Sequence, residues 1–166
     1  EHPPPADVEP AETVEEVVER LRREMGLDKG DKTLVSVIAG SKLENAANVE
    51  LARALGRALA SELGPSTVFA TGGLGELQRA FADGVEGEAE GRLWHLIGGG
   101  AVASGFTKGK DLLSAANPEM HKAVRGRLGG IVVTLEGGGG TVAESTVAAE
   151  HGAQLIPLLR TGGASA

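Results

Sequence analysis

Four consecutive glycines occupy residues 137–140, within the stretch EGGGGTVAES that runs from Glu136 to Ser145. Each glycine costs roughly 0.5–1 kcal/mol relative to alanine in a regular element, so one turn does not account for four of them. A glycine-rich segment leading into a helix exposes backbone N–H groups, and the helix dipole adds positive potential there. The stretch therefore indicates an anion, most simply a phosphate, held against the main chain. The alternative is that the glycines serve only tight turns and close packing.

Three further glycine-rich segments follow runs that have the composition of strands: AGSK (39–42), TGGLGE (71–76) and IGGGAVASG (97–105). If these strands form one parallel sheet, right-handed crossovers bring the loops to its carboxyl edge, where open α/β sheets bind ligands. The glycine loop at 137–140 lacks the Lys-Ser/Thr ending of a P-loop. The first strand is likewise not followed by the G-x-G-x-x-G fingerprint of dinucleotide-binding folds.

The elements that must position these loops alternate along the chain. Short β-branched apolar runs, typical of strands buried on both faces, are separated by segments with helical spacing. The predicted strands are 33–40, 66–73, 93–97, 131–136 and 154–160. This alternation predicts an α/β three-layer sandwich with a mainly parallel sheet of at least five strands.

Helix starts are predicted from capping residues. Asn117 before Pro118 is typical of a helix start, and Ser41 with Glu44 forms a capping box at the start of the helix that follows the first strand. Thr141 with Glu144 has the same spacing. Glu144 therefore has two interpretations, a helix cap or a carboxylate at the mouth of the anion site.

The N-terminal part divides into an extended, proline-rich lead-in (1–12) and an acidic helix with its linker (13–31), before the main domain (32–166). A capping box of Thr13 and Glu16 and an apolar stripe predict the helix. Because the stripe needs cover, we expect the helix to pack on the domain or on a neighbouring subunit. A dedicated partner-binding helix is the alternative.

Composition excludes several classes of protein. The chain has no cysteine, only 2% aromatic residues and a net charge of −7, and most of that charge lies in residues 1–31. A near-neutral body without exposed aromatics argues against nucleic-acid binding. The four histidines lack metal-ligand spacing, and no run is long enough to cross a membrane. We expect a reducing compartment, cytoplasmic or organellar after removal of a leader.

The glycine segments resemble the LONELY GUY phosphoribohydrolases, formerly called lysine decarboxylases, and their wider nucleotide-binding superfamily. The signature of that family is P-G-G-x-G-T-x-x-E, and Glu136 replaces its proline. The matching positions are Gly137, Gly138, Gly140, Thr141 and Glu144. The first two glycine loops are similar through Gly40, Ser41, Gly72, Gly73 and Gly75, and the resemblance extends from about Thr33 to Arg160.

The resemblance implies a Rossmann-like fold, usually dimeric, that binds nucleoside monophosphates and cleaves the bond between base and ribose 5′-phosphate. The glutamate of the signature and an arginine from a Met-His-x-Arg-Lys stretch serve that reaction in the family. Here the stretch is MHKAVRGR, in which Met120 and His121 match but Arg125 stands two positions late. The related molybdenum-cofactor carrier proteins use similar glycine loops to hold a pterin phosphate.

We therefore predict a carrier or sensor of a nucleotide-like ligand, with no further cofactor or metal. A phosphoribohydrolase, with Glu144 and Arg125 as catalytic residues, and a structural subunit are the alternatives. A homodimer or a larger complex is expected. The predicted ligand-binding residues are Gly40, Ser41, Gly72, Gly73, Gly75, Gly137, Gly138, Gly139, Gly140, Thr141 and His121. Lys42, Arg127 and the loop from Ser104 to Lys110 are possible further contacts, the loop as a lid or as a solvated turn.

Overall fold

The computed structural model describes residues 12–166, so all but the last residue of the predicted lead-in lies outside the described part. Six strands cross this part of the chain: β1 (Thr33–Ala39), β2 (Thr67–Thr71), β3 (Leu93–Ile97), β4 (Lys110–Leu113), β5 (Ile131–Leu135) and β6 (Gln154–Pro157). They form one fully parallel sheet in the order β4-β3-β2-β1-β5-β6. The switch in strand order lies between β1 and β5, where such sheets open a crevice for ligands.

Helices cover both faces of the sheet, which confirms the predicted three-layer fold. The five α-helices of the described residues are α1 (Val14–Glu24), α2 (Ala47–Glu62), α3 (Glu76–Gly84), α4 (Pro118–Arg127) and α5 (Gly139–Glu150). Short 3₁₀ turns follow α3 at Gly87–Arg92 and end the chain at Leu159–Thr161 and Gly163–Ser165.

Alternate residues of the central strands supply two separate apolar layers, as period-2 side-chain directions require. Val35, Val37 and Phe69 pack with α2 and α3 on one face. Leu34 and Val68 pack with α1 and α4 on the other face. Because the four inner strands β1, β2, β3 and β5 are buried on both sides, their sequences are nearly continuous apolar runs, whereas the residues of the edge strand β6 are exposed.

Strand β4 is absent from the sequence prediction, which treated residues up to Lys110 as a loop. The strand has four residues, KDLL, of which only Leu112 is buried. It pairs with β3 alone and forms one edge of the sheet. A short, polar edge strand carries no apolar run by which sequence reasoning could find it.

Helix α1 begins at the predicted capping box, in which Thr13 Oγ1 accepts the Glu16 N–H at 3.2 Å and the Glu16 carboxylate accepts the Thr13 N–H at 2.7 Å. Val17 and Leu21 of α1, and Met25 directly after it, are buried in one apolar cluster with residues of β1 and α4 of the same chain. The stripe therefore needs no neighbouring subunit to cover it, and the reason for expecting α1 at a subunit contact no longer holds.

Two of the predicted capping boxes are wrong. Helix α2 begins at Ala47, after Ala46, rather than at Ser41, and the Glu44 N–H donates instead to the carboxylate of Glu136 at 2.9 Å. Helix α5 begins at Gly139, so Thr141 and Glu144 lie inside it and do not cap it. At Asn117 the prediction is confirmed, since its Oδ1 accepts the N–H groups of Glu119 and Met120.

Candidate functional site

Three glycine loops converge at the carboxyl edge of β1. A Cβ atom on Gly40 would lie 3.0 Å from the Cα of Gly137, and a Cβ on Gly75 would lie 3.0 Å from the Gly40 carbonyl oxygen. Glycine at these positions lets the loops after β1, β2 and β5 approach one another through their main chains. The sequence places these glycines far apart, and the sheet brings them together.

The four glycines of 137–140 have two different roles. Gly137 has a φ of +95°, and a Cβ on it would lie 2.1 Å from Thr141 Oγ1, so the fold itself requires glycine there. Gly138, Gly139 and Gly140 have no positive φ, and a Cβ on any of them would meet no atom within 4 Å. Local packing does not explain these three glycines, and Gly139 and Gly140, both in the first turn of α5, do not need the backbone freedom of glycine.

The main chain of this segment offers unpaired donors. The N–H of Val142 is the first to bond back into helix α5, to the Gly138 carbonyl at 3.1 Å. Within the described part of the chain, the N–H groups of Gly138 to Thr141 donate to no protein acceptor. The first turn of a helix leaves such donors free, and the dipole makes them attractive to anions.

A cavity of about 470 Å³ opens in front of these donors. It lies between the loops after β1, β2 and β5 and the side of α4. Its lining residues are Ala39, Gly40, Ser41, Lys42, Glu44, Leu74, Gln78, Lys122, Arg125, Gly137, Gly138, Gly140, Thr141 and Glu144. Three cationic side chains thus share the cavity with two carboxylates.

Arg125 and Glu144 meet at one wall of the cavity. Arg125 Nη1 lies 3.0 Å from Glu144 Oε2, and their side chains are only 9% and 14% exposed. The guanidinium N–H is not aimed at this oxygen, which accepts no hydrogen bond and is buried. The contact is therefore an ion pair, and this carboxylate oxygen is enclosed by protein rather than open to the cavity.

Two glycines explain how Arg125 reaches this place. A Cβ on Gly72 would lie 2.6 Å from Arg125 Nη1, so the guanidinium rests on the main chain at the end of β2. A Cβ on Gly126 would lie 2.3 Å from a methyl group of Val147, so α4 and α5 pack closely beside the ion pair. Arg127 is directed away from the cavity and pairs with Glu15 of α1.

His121 lies outside the cavity although it is one turn from Arg125. Its Nδ1 is 2.8 Å from Ser114 Oγ, and its ring occupies the space where a Gly98 side chain would be. Ser114 and Gly98 line a separate cavity of about 330 Å³. Burial, and then the charge of Arg125, lower the pKa of His121 to about 4, so the imidazole is neutral at pH 7.

Two of the remaining predicted residues, Gly73 and Gly75, support the loops rather than line the cavity. Gly73 has a φ of +64° and packs against Ile97, while Gly75 packs on Gly40. Gly139 begins α5 and faces open space. In the predicted lid, the main-chain N–H and the hydroxyl of Ser104 both donate to the carboxylate of Asp111, which ties this end of the segment to β4.

Sequence reasoning assigns no role to Gln78, Lys122 or Glu136. The Gln78 amide bridges the first two loops, since it accepts the Gly72 N–H and donates to the Ala39 carbonyl. Lys122 precedes Arg125 by almost one helical turn and lines the cavity. Glu136 is fully buried beneath the loops. The replacement of the signature's proline by Glu136 was the one signal that could have drawn attention to it.

Comparison with known proteins supports the fold. The X-ray structure of TM1055, a Northeast Structural Genomics Consortium target, is similar to this chain with a TM-score of 0.66 and 24% identity. The similarity covers 80% of this chain and 78% of TM1055. Neither protein-family models nor curated proteins match the sequence. The likeness to TM1055 indicates a Rossmann-like α/β fold and carries no functional assignment.

Two further findings concern residues 12–166 alone. No group of three or more His, Cys, Asp and Glu side chains in this range is placed to hold a metal ion. None of its helices is long and apolar enough to cross a membrane.

Proposed function

We propose that this protein binds a nucleoside monophosphate or a related phosphorylated cofactor in the 470 Å³ cavity, as a carrier or sensor. The phosphate lies against the N–H groups of Gly138 to Thr141. The observation that carries the proposal is the open space at Gly138, Gly139 and Gly140. Glycines that destabilise a helix start without any packing reason are explained by a ligand that approaches the main chain closely.

The charges around the cavity fit an anionic ligand of modest charge. Lys42, Lys122 and Arg125 are offset in part by Glu44 and Glu144. Arg125 is already paired with Glu144, so the two lysines and the free amides supply most of the attraction for a phosphate. Lysine acts on phosphate as a mobile point charge, which suits a site that must release its ligand as well as hold it.

Phosphoribohydrolase activity is the second candidate, and the Arg125–Glu144 pair favours it. Hydrolysis of an N-glycosidic bond develops positive charge on the ribose, and a carboxylate beside the sugar stabilises that charge. Glu144 lines the cavity and is held in place by its contact with Arg125. Against this candidate, Arg125 stands two positions later than in the resembled motif.

Ligand binding is tested by thermal shift and calorimetry with inorganic phosphate, ribose 5-phosphate, nucleoside monophosphates and pterin phosphates. A ligand at 100 times its dissociation constant stabilises the folded state by about 2.7 kcal/mol, which raises Tm by about 5–11 °C for a domain of this size. If none of these compounds shifts Tm or produces a binding isotherm, the proposed function is refuted.

The same samples separate carrier from hydrolase. The purified protein is incubated with each nucleoside monophosphate for hours at high protein concentration, and free base is measured by chromatography. We expect no base to be released. Release that is abolished in Glu144→Gln would establish the hydrolase instead, because glutamine keeps the shape of the side chain and removes only its charge.

A further inference from the structure

Glu136 is a buried carboxylate at the junction of two walls of the cavity. It is 0% exposed and stands between β5 and the glycines. Its Oε2 accepts the Glu44 N–H at 2.9 Å, and its Oε1 accepts the Asn45 N–H at 3.0 Å and the Asn48 side-chain N–H at 2.6 Å. One side chain thus fixes the loop that follows β1.

The main chain of Glu136 is held from the other side by the end of the chain. Its N–H donates to Thr161 Oγ1 at 2.9 Å, and its carbonyl accepts a hydrogen bond from Ser165 Oγ at 3.2 Å. The Gly137 carbonyl accepts the Ala164 N–H at 2.7 Å. The Asn48 side chain also donates to the Thr161 carbonyl at 3.0 Å. The loops after β1 and β5 and the C-terminal turns therefore share one hydrogen-bond network.

The charge and the backbone of Glu136 are both unusual. None of the ion pairs among the described residues includes Glu136. Burying a charged carboxylate costs free energy unless it has hydrogen-bond partners, and here three N–H donors alone fill that role. Its φ is +49°, and it is the one residue other than glycine with positive φ in the range 12–166. A proline, with φ fixed near −65°, could not take this position.

We infer that Glu136 is a positioning residue for the anion site: it sets the separation of the two loops whose main chains form the cavity. This inference rests on the proposed function. The loop of Gly138 to Thr141 begins two residues after Glu136, and Gly40 of the other loop touches Gly137. Fixing both loops before the ligand arrives lowers the ordering cost of binding, which is how preorganisation raises affinity.

The test uses the full chain with Glu136→Gln, which keeps the size of the side chain but replaces one acceptor oxygen by an NH₂ group. Amide hydrogen exchange is measured without ligand, and affinity for ribose 5-phosphate and for inorganic phosphate is measured by calorimetry. We expect the Glu44 and Asn45 amides to exchange at least about tenfold faster and both affinities to fall about tenfold or more.

Two controls separate positioning from general destabilisation. Glu62→Gln changes an exposed glutamate at the end of α2 and leaves exchange and affinity unchanged. Leu21→Ala lowers global stability from a buried position in α1, which carries neither loop, and we expect it to change the affinity of the folded protein less than Glu136→Gln does. If Glu136→Gln does not fold, Thr161→Val removes the acceptor of the Glu136 N–H and is measured in the same way.

The outcomes are distinct. Exchange rates and affinities within twofold of the wild type would overturn the positioning role. So would an equal loss of affinity in Leu21→Ala. If the wild type binds neither phosphate compound, the proposed function fails, and the exchange rates of Glu44 and Asn45 still decide whether Glu136 orders the loop.

Discussion

Gly140→Ala should make the protein more stable and less able to bind phosphate. Gly140 lies in the first turn of α5, has no positive φ, and has open space where the new methyl group would stand. Alanine is favoured over glycine in a helix by about 0.5–1 kcal/mol. For a domain of this size, that gain raises Tm by about 1–4 °C.

The same methyl group would occupy the space in which we place the phosphate. Loss or lengthening of one hydrogen bond to a charged group costs about 1.5–3 kcal/mol, which corresponds to an affinity about 10- to 100-fold weaker. The assay is a thermal melt of the free protein combined with calorimetric titration of ribose 5-phosphate. Opposite signs for stability and affinity are the expected signature of a glycine retained for a ligand.

Gly91→Ala is the matched control. Gly91 lies in the 3₁₀ turn Gly87–Arg92, has no positive φ, and also faces open space, but it is not among the residues that line the cavity. We expect a small change in Tm and unchanged affinity. If Gly140→Ala melts higher than the wild type and binds ribose 5-phosphate equally well, the ligand does not lie against these amides, and the explanation of the open glycines is wrong.

Three further predictions follow from side chains described above. Glu144→Gln removes a negative charge from the cavity wall and frees Arg125, so calorimetry should show tighter binding of ribose 5-phosphate. Arg125→Gln should weaken that binding. Affinity changes in the same direction for both variants would contradict the ion-pair interpretation. Folding lowers the pKa of His121 from 6.5 to about 4, so the unfolded chain binds this proton more readily. The stability that neutral His121 contributes is therefore present above about pH 6.5 and declines towards pH 4. The difference in Tm between pH 7 and pH 5 should be smaller in His121→Gln than in the wild type. Leu21→Ala should lower the free energy of unfolding, measured with denaturant, by about 2–5 kcal/mol, since Leu21 is 0% exposed. The mass in solution should not change. If an oligomer dissociates in this variant, α1 does take part in a subunit contact.

The elements with a strong apolar pattern were predictable, and those set by tertiary contacts were not. Strand β3 is found at Leu93–Ile97, as predicted, because it is buried on both faces. One capping box failed because the fold brings in a stronger partner, and another failed because α5 begins two residues earlier, at Gly139. Glu44 has the spacing of a capping residue, but its N–H is taken by the Glu136 carboxylate from 92 residues away, and sequence spacing contains no information about that contact.

Arg125 shows the same limit at the site. Its register relative to Met120 differs by two positions from that of the resembled motif. The structure nevertheless places it 3.0 Å from Glu144, because Gly126 allows α4 to approach α5 and Gly72 leaves room for the guanidinium. The spacing of residues in a sequence motif gives their separation along one helix. The position of a charged group in the site also depends on how that helix packs against its neighbour.

The hydrogen bonds from Thr161, Ala164 and Ser165 to the Glu136–Gly137 segment also bear on how the protein is made. Residues enter a growing chain in order, at about 5–20 per second, and β1 must wait for β5, almost 100 residues later, before the two can pair. The glycine loop follows β5 directly, and the residues that hold it follow the last strand, β6. In the order of synthesis, the sheet can therefore form before Thr161, Ala164 and Ser165 fix the Glu136–Gly137 segment.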